Sequence, residues 1–274
     1  MAREPERGVP DGPPAGAGAD RHRGAGRARI APAADIEAVL RDLGPRLDAA
    51  ANEWTRAWWE RYLKGAVPFR GAPMAEIRRV MHELWEDREL AALPAERQVE
   101  IALRLFVEPY SEDKLTGVLA LAERLLGHLT LADVPRLARP FAEGDIDDWS
   151  TCDWYCVKVL GPFIERAPDP RAAAEAVAAW RSAESLWQRR AAAVAFVNLA
   201  PRADDVFPGL ARLILDVCAS NVRDPARFSQ TGVGWVLREL SRADPEAVAG
   251  FVRDHRHEMS REALRAATAR LRGD

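Results

Sequence analysis

One segment of the sequence places an aromatic ring and a carboxylate at a spacing that suits cation binding. In DIDDWSTCDW, Trp149 and Asp153 are four residues apart, so on a helix they share one face. A carboxylate beside an aromatic ring can bind a cation through its charge and through the ring quadrupole. Asp147 or Asp148 is placed to cap the helix that opens at Trp149. The alternative is that Asp153 pairs with an arginine of the next helix, and spacing alone slightly favours that structural interpretation.

A second segment supplies a candidate phosphate ligand. The sequence SLWQRRAAAVAF contains Arg189 and Arg190 ahead of an alanine-rich stretch that allows close helix packing. Adjacent helical residues point in different directions, so the two arginines must have different surroundings. An arginine held on a packed helix beside a groove is a good phosphate ligand. An interhelical salt bridge explains the same residues about equally well.

A third segment, GVGWVLRELSR, combines glycines, a tryptophan and arginines. Gly232 and Gly234 lie early in a predicted helix, where glycine costs stability relative to alanine; this indicates close approach by another backbone or a ligand. Trp235 follows them directly. Arg238 and Arg242 form a short basic stripe, a pattern that is also typical of a solvated helix face.

The helices that must position these residues follow one another with short Pro, Gly and Asp breaks. Strand signals are nearly absent, because the chain has no runs of alternating β-branched residues and no Asn-Gly or Asp-Gly hairpin turns. Hydrophobic periodicity and cap residues predict the following helices: 34–51, 53–64, 74–87, 95–107, 112–128 behind the cap candidate Ser111, 132–142, 149–166, 170–183, 185–199, 204–219, 228–241, 245–254 and 261–272. Four tryptophans are predicted to anchor helix packing: Trp54, Trp58, Trp85 and Trp180.

Such a succession fits either a helical bundle or a solenoid of helix pairs of the HEAT or armadillo type. Segments recur at roughly the 40-residue spacing of HEAT-type units, which favours the solenoid. We therefore predict an all-α domain over residues 33–274. Residues 1–32, rich in Pro, Gly, Ala and Arg, cannot bury enough surface to offset the entropy of ordering and are predicted to be a disordered tail.

Charge and composition exclude several classes of protein. The chain has 39 basic and 42 acidic residues; without the six arginines and four acidic residues of the tail these become 33 and 38, a net charge of −5. Any nucleic-acid-binding face must therefore be local. No apolar run is long enough to cross a bilayer, and the N-terminal stretch lacks the apolar region of a secretory signal.

The cysteines favour a structural interpretation. Cys152 and Cys156 are four residues apart with no companion Cys or His cluster to complete a metal site. We predict that they are small core residues in a reducing, cytoplasmic environment, rather than zinc ligands or a disulfide.

Taken together in order, four motifs resemble the DNA alkylation repair enzyme family, the AlkD-like DNA glycosylases built from HEAT-like repeats. These motifs are RYLKGAVPFRG, WSTCD, SLWQRRAAAVAF and GVGWVLRELSRADPEAV, and the resemblance runs from about residue 53 to 271. It implies a C-shaped α-α superhelix whose concave groove binds double-stranded alkylated DNA. It also implies hydrolysis of the N-glycosidic bond of cationic alkylated purines, such as 3-methyladenine and 7-methylguanine, in base excision repair.

The same resemblance implies roles for individual residues. Asp153 is similar to the catalytic carboxylate of the family, and Trp149 and Trp235 to the aromatic walls of its catalytic cleft. Arg190 resembles the arginine that binds the lesion-strand backbone, and Tyr62 a further residue of the DNA-binding cleft. Phosphate contacts are implied for two more arginines, Arg238 and Arg242. Because a cationic purine leaves without protonation, such a site is expected to need no metal or cofactor, and we expect a monomer.

The sequence departs from the family after Phe69, where Pro73 and Met74 cannot supply the hydrogen bonds that polar residues of other members make to the DNA backbone. The spacing between Arg190 and Trp235 is also longer, which predicts an extended loop near 221–227. Two other functions stay open. The acidic balance favours a HEAT-type scaffold that binds DNA or a protein without catalysis, and the altered loop is compatible with self-resistance to a bulky alkylating natural product.

Overall fold

The computed structural model describes residues 36–271, which form helices and no strand. The predicted tail, residues 1–32, lies outside the described residues. The α-helices are α1 Ile36–Ala50, α2 Glu53–Leu63, α3 Met74–Asp87, α4 Ala95–Arg104, α5 Ser111–Ala120, α6 Val134–Ala142, α7 Trp149–Tyr155, α8 Gly161–Arg166, α9 Pro170–Ala178, α10 Leu186–Val194, α11 Ala203–Val206, α12 Leu210–Asn221, α13 Arg227–Leu240, α14 Pro245–His255 and α15 Arg261–Ala267. Short 3₁₀ segments are Leu90–Ala92, Leu105–Val107, Leu126–His128, Leu131–Asp133, Ala179–Ser182 and Ala200–Arg202.

Helix ends largely follow the predicted caps. Asp148 begins α7, since its side chain accepts hydrogen bonds from the backbone N–H groups of Ser150 and Thr151. Ser185 caps α10 in the same way. Ser111 does not act as a cap, because it is the first residue of α5 itself. The predicted helix 204–219 is wrong as a single element: it is interrupted at Gly209, whose φ of 93° is left-handed, and α12 begins just after it.

Two long predicted helices contain π-helical turns. The predicted helix 149–166 is continuous, but Cys156–Leu160 forms a π segment between α7 and α8. Leu121–Leu125 likewise follows α5. A π turn inserts an extra residue and shifts the side chains that follow it, and such turns occur often at functional sites. Here the turn directly follows the segment that holds Asp153.

The helices bury one long hydrophobic core, which extends from Val39 in α1 to Ala267 in α15. Within it α10 contacts α7, α12 and α13, while α13 also packs on α15. Successive pairs of helices therefore share one continuous core, and the fold is an all-α superhelix as predicted. Its centre is α10, which joins the helices that carry Asp153 and Trp235.

The segment between α2 and α3 is fixed by a buried carboxylate. Glu112 accepts hydrogen bonds from the backbone N–H groups of Arg70, Gly71 and Ala72. Gly71 has a φ of 105°, and a Cβ there would lie 2.5 Å from the carbonyl oxygen of Asn52, so only glycine fits. This segment holds Phe69 in place beneath α2.

The four predicted packing tryptophans divide into two groups. Trp85 and Trp180 are buried as predicted. The prediction was wrong for Trp54 and Trp58, which expose 73% and 43% of their surface on α2. Their apolar character predicted a helix but not the side of that helix on which other elements pack. In residues 36–271, no helix combines the length and the apolar character that crossing a membrane would require.

Candidate active site

The centre of the candidate site is an ion pair between α7 and α10. Arg190 donates two parallel hydrogen bonds to Asp153, from Nε to Oδ1 and from Nη2 to Oδ2, both 2.8 Å long. The side chains are nearly withdrawn from solvent, with 5% of Arg190 and 14% of Asp153 exposed. The structural alternative considered for both residues, an interhelical salt bridge, is therefore present. Asp153 nevertheless keeps part of its surface open, unlike a residue sealed in the core.

Arg190 is also fixed to α13. Its Nη1 donates to the carbonyl oxygen of Phe228 at 2.6 Å and to the hydroxyl oxygen of Thr231 at 3.1 Å. Gly232 makes room for this, because a Cβ there would lie 3.3 Å from Nη1 of Arg190. The guanidinium thus joins three helices, and four hydrogen bonds determine its position.

Trp149 lies one helical turn before Asp153, at the first position of α7. It is half-buried and packs against a small hydrophobic cluster formed by Leu63, Val67 and Phe69. Its ring meets the ring of Tyr62 edge to face, with 5.5 Å between centroids. The structure therefore brings Tyr62 of α2 to the tryptophan beside the ion pair, as the resemblance implied.

Trp235 lies one turn after Thr231 on α13, so it shares a helix face with the hydroxyl that binds Arg190. It is half-buried and packs against the main core. Close approach of another backbone, predicted from the two glycines, is confirmed at Gly234, where a Cβ would lie 2.8 Å from the Cα of Ala263. Gly234 thereby lets α13 lie directly on α15.

Arg238 and Arg242 continue along α13 beyond Trp235, but their charges are partly offset. Glu239 accepts from Nε of Arg238 at 3.0 Å, lies 3.6 Å from Arg242, and also pairs with Arg270. Both arginines remain accessible to solvent. Three guanidinium groups around one carboxylate leave a net positive patch, so phosphate binding by Arg238 and Arg242 stays a prediction.

The neighbouring arginine confirms that the two consecutive arginines have different surroundings. Arg189 points to the other side of α10 and pairs with Asp224, with Nη2 to Oδ2 at 2.7 Å. It also donates to the carbonyl oxygens of Ala183 and Glu184. Two ion pairs of similar burial therefore leave α10 from consecutive residues, and only the pair of Arg190 adjoins the aromatic residues.

The electrostatics of the pair set the charge state of Asp153. Burial raises the pKa of the Asp153 carboxyl above its usual range; the charge and hydrogen bonds of Arg190 oppose this, and the carboxylate of Asp148 adds to it. Cys152 and Cys156 lie beneath, buried as predicted, with their thiols close to backbone carbonyls of Trp187 and Ala191. Among residues 36–271 no three His, Cys, Asp or Glu side chains group as metal ligands would.

The arrangement therefore combines an anion, two half-buried tryptophans on adjoining helices and a fixed guanidinium. The sequence pattern did not indicate Thr231 or the carbonyl oxygen of Phe228, which hold the guanidinium. The signal that could have found Thr231 is its spacing of four residues before Trp235. Chemically, the site can stabilise positive charge beside Asp153 and bind an anion that approaches Arg190.

Comparisons with known proteins agree with this fold. A family model described as DNA alkylation repair enzyme matches residues 44–271. A solved structure described as a "Predicted DNA alkylation repair enzyme from Enterococcus faecalis" is similar, with a TM-score of 0.67 and 19% identity over 82% of this chain and 98% of that one. No curated protein matches the chain.

Proposed function

This chain belongs to the DNA alkylation repair enzyme family, and from that premise we propose that it is a DNA glycosylase. Its substrates are cationic alkylated purines in duplex DNA, of the 3-methyladenine and 7-methylguanine type. The observation that carries the proposal is the bidentate Asp153–Arg190 pair, which ties α7, with Trp149, to α13, with Trp235. We assign the concave side of a HEAT-like superhelix to the DNA.

In the proposed reaction, the bond between C1′ and the purine nitrogen breaks, and its electron pair neutralises the cationic base. Positive charge then develops on the deoxyribose. The carboxylate of Asp153 stabilises that charge, and the indoles of Trp149 and Trp235 add their ring quadrupoles. Water adds to C1′ and gives up a proton, for which Asp153 is the acceptor. The products are the free base and an abasic site.

Arg190 has a second role in this proposal. Its guanidinium can bind a backbone phosphate in bidentate fashion, as arginine commonly does. Arg238 and Arg242 contact further phosphates, and Tyr62 lines the cleft beside Trp149. A phosphate that approaches Arg190 would share its hydrogen-bond donors with Asp153, which leaves the carboxylate freer to act on the sugar.

A scaffold that binds DNA or a protein without catalysis is the second candidate. The mutual neutralisation of Asp153 and Arg190 and the net negative charge of the predicted folded part favour it. The two candidates differ in one product, because a scaffold binds methylated DNA and releases no free base. They also differ in their response to changes in the aromatic residues.

Replacement of Trp149 by leucine should slow base release by about tenfold, because one cation–π contact worth about 1–2 kcal/mol is lost. The measurement is the single-turnover rate of 7-methylguanine release from methylated duplex DNA. Trp154→Leu is the matched control, since Trp154 is also half-buried on α7 but faces Lys158, with 5.5 Å from its ring to the ammonium. Equal rates for both variants would argue against the assigned role of Trp149.

The rate should also fall in acid at an unusually high pH. Protonation of Asp153 removes its charge, and because burial raises the pKa of Asp153, kcat/KM should fall above the pH expected for an ordinary aspartate, whose pKa is about 3.9. The pH profile of kcat/KM, corrected for spontaneous depurination without protein, measures this. A profile that stays level down to the ordinary aspartate pKa would contradict it.

A further inference from the structure

Helix α2 exposes three aromatic side chains in one line. Trp54, Trp58 and Tyr62 are spaced four residues apart, so they lie on one face of the helix, and 73%, 43% and 52% of their surfaces are exposed. We call these three residues the aromatic row. Only two other large hydrophobic side chains in the described part of the chain are similarly exposed, Val107 and Leu131. Concentration of exposed aromatic surface on one helix face indicates a binding surface.

The rings of the aromatic row are held in place from below. Trp58 and Tyr62 are stacked, with centroids 5.1 Å apart and planes inclined by 16°. Trp59 meets Trp58 edge to face at 4.7 Å and stacks on Phe69 at 5.6 Å. Phe69 precedes the loop fixed by Glu112. The exposed rings are therefore supported by a fixed layer and lose little freedom on binding a partner.

The row adjoins the candidate active site and has a basic edge. Tyr62, its last member, contacts Trp149 at 5.5 Å. Arg61 lies seven residues after Trp54 and so on the same face, and it is exposed, as is Lys64. Neither makes an ion pair among the described residues, whereas the glutamates of α2, Glu53 and Glu60, lie on a different edge of the helix.

We propose that the aromatic row is a stacking subsite for unpaired nucleobases of the DNA strand beside the lesion. Aromatic side chains with an adjacent cation are the means by which proteins bind single strands without sequence preference. Bases within a duplex already cover their faces by stacking on each other, so only unpaired bases offer faces to these rings. The position beside the lesion rests on the proposed function; the affinity for single strands does not.

A binding experiment with undamaged DNA tests this subsite. The probes are a fluorescently labelled oligothymidylate and an undamaged duplex of equal length, with affinity followed by anisotropy. Trp54→Ala should weaken binding of the single strand by about fivefold or more, the smallest loss expected for one stacked base, and leave duplex binding within about twofold. Trp54→Ala/Trp58→Ala should weaken it further. Trp54 is mostly solvated, so its replacement leaves the fold intact.

Three controls decide between explanations. Leu131→Ala removes an equally exposed apolar side chain elsewhere and should leave both affinities unchanged. Asp153→Asn should bind the oligothymidylate as the unaltered protein does, so loss of base release alone leaves the subsite standing. Equal weakening for single strand and duplex would overturn the proposal. So would self-association, seen by sedimentation, that depends on Trp54 and Trp58 while single-strand affinity stays unchanged.

Discussion

Replacing Asp153 by asparagine should reduce the rate of 7-methylguanine release by about a thousandfold. The substitution keeps the shape and a carbonyl oxygen for Arg190 but removes the negative charge. A charge about 4 Å from the developing sugar cation contributes about 4 kcal/mol at an effective dielectric constant near 20, and about 4 kcal/mol is about three orders of magnitude in rate. Single-turnover release from methylated duplex DNA is the measurement.

Asp224→Asn is the matched control for that change. It neutralises the carboxylate that pairs with Arg189, the residue next to Arg190 on α10, in a pair of similar burial. In both variants the arginine keeps hydrogen bonds to backbone carbonyl oxygens. Asp224→Asn should therefore retain base release within about threefold. If the two variants lost activity equally, the loss would come from a weakened helix contact rather than from catalysis.

The second large effect concerns stability. Arg190→Met should lower the free energy of unfolding by about 3–5 kcal/mol, because it leaves the buried carboxylate of Asp153 without its partner. Urea denaturation measures this. Burial already raises the pKa of Asp153; without the guanidinium it should rise further, so the folded state takes up a proton more readily than the unfolded state. The deficit should therefore be full at neutral pH and shrink as the pH falls.

Two further variants isolate the ion pair from other effects. Asp153→Leu/Arg190→Met removes both charges and should regain most of the stability lost in Arg190→Met, while releasing no base. Arg212→Met breaks a pair with Asp216 that is largely exposed, and should change stability by less than about 1 kcal/mol. An Arg190→Met variant as stable as the unaltered protein would show that Asp153 does not depend on this partner.

The helices and the membership of the site were accessible from the sequence because they depend on local spacing. Four residues between Trp149 and Asp153 define one turn whatever the rest of the chain does. The two glycines of α13 indicated a close approach, and Gly234 against Ala263 confirmed it. The pairing of Asp153 with Arg190 was only one of two open interpretations, because these residues are 37 positions apart and their contact depends on how α7 and α10 pack.

Features that depend on packing were missed for the same reason. Trp54 and Trp58 were predicted as packing anchors, but hydrophobic type does not say which face of α2 meets the core. The π turn at Cys156–Leu160 changes the hydrogen-bond pattern without a change in composition. Gly209 interrupted a predicted helix because a left-handed residue is compatible with either a break or a cap. The role of Thr231 required the position of Arg190.

The central claim is that this protein cuts the glycosidic bond of a cationic purine. The most direct measurement incubates duplex DNA containing 7-methylguanine with the unaltered protein and quantifies the free base and the abasic sites together. We predict that free 7-methylguanine appears with one abasic site for each base released, at a rate far above spontaneous depurination. Methylated DNA that is bound but yields no free base above the rate without protein would contradict the claim and identify a binding scaffold instead.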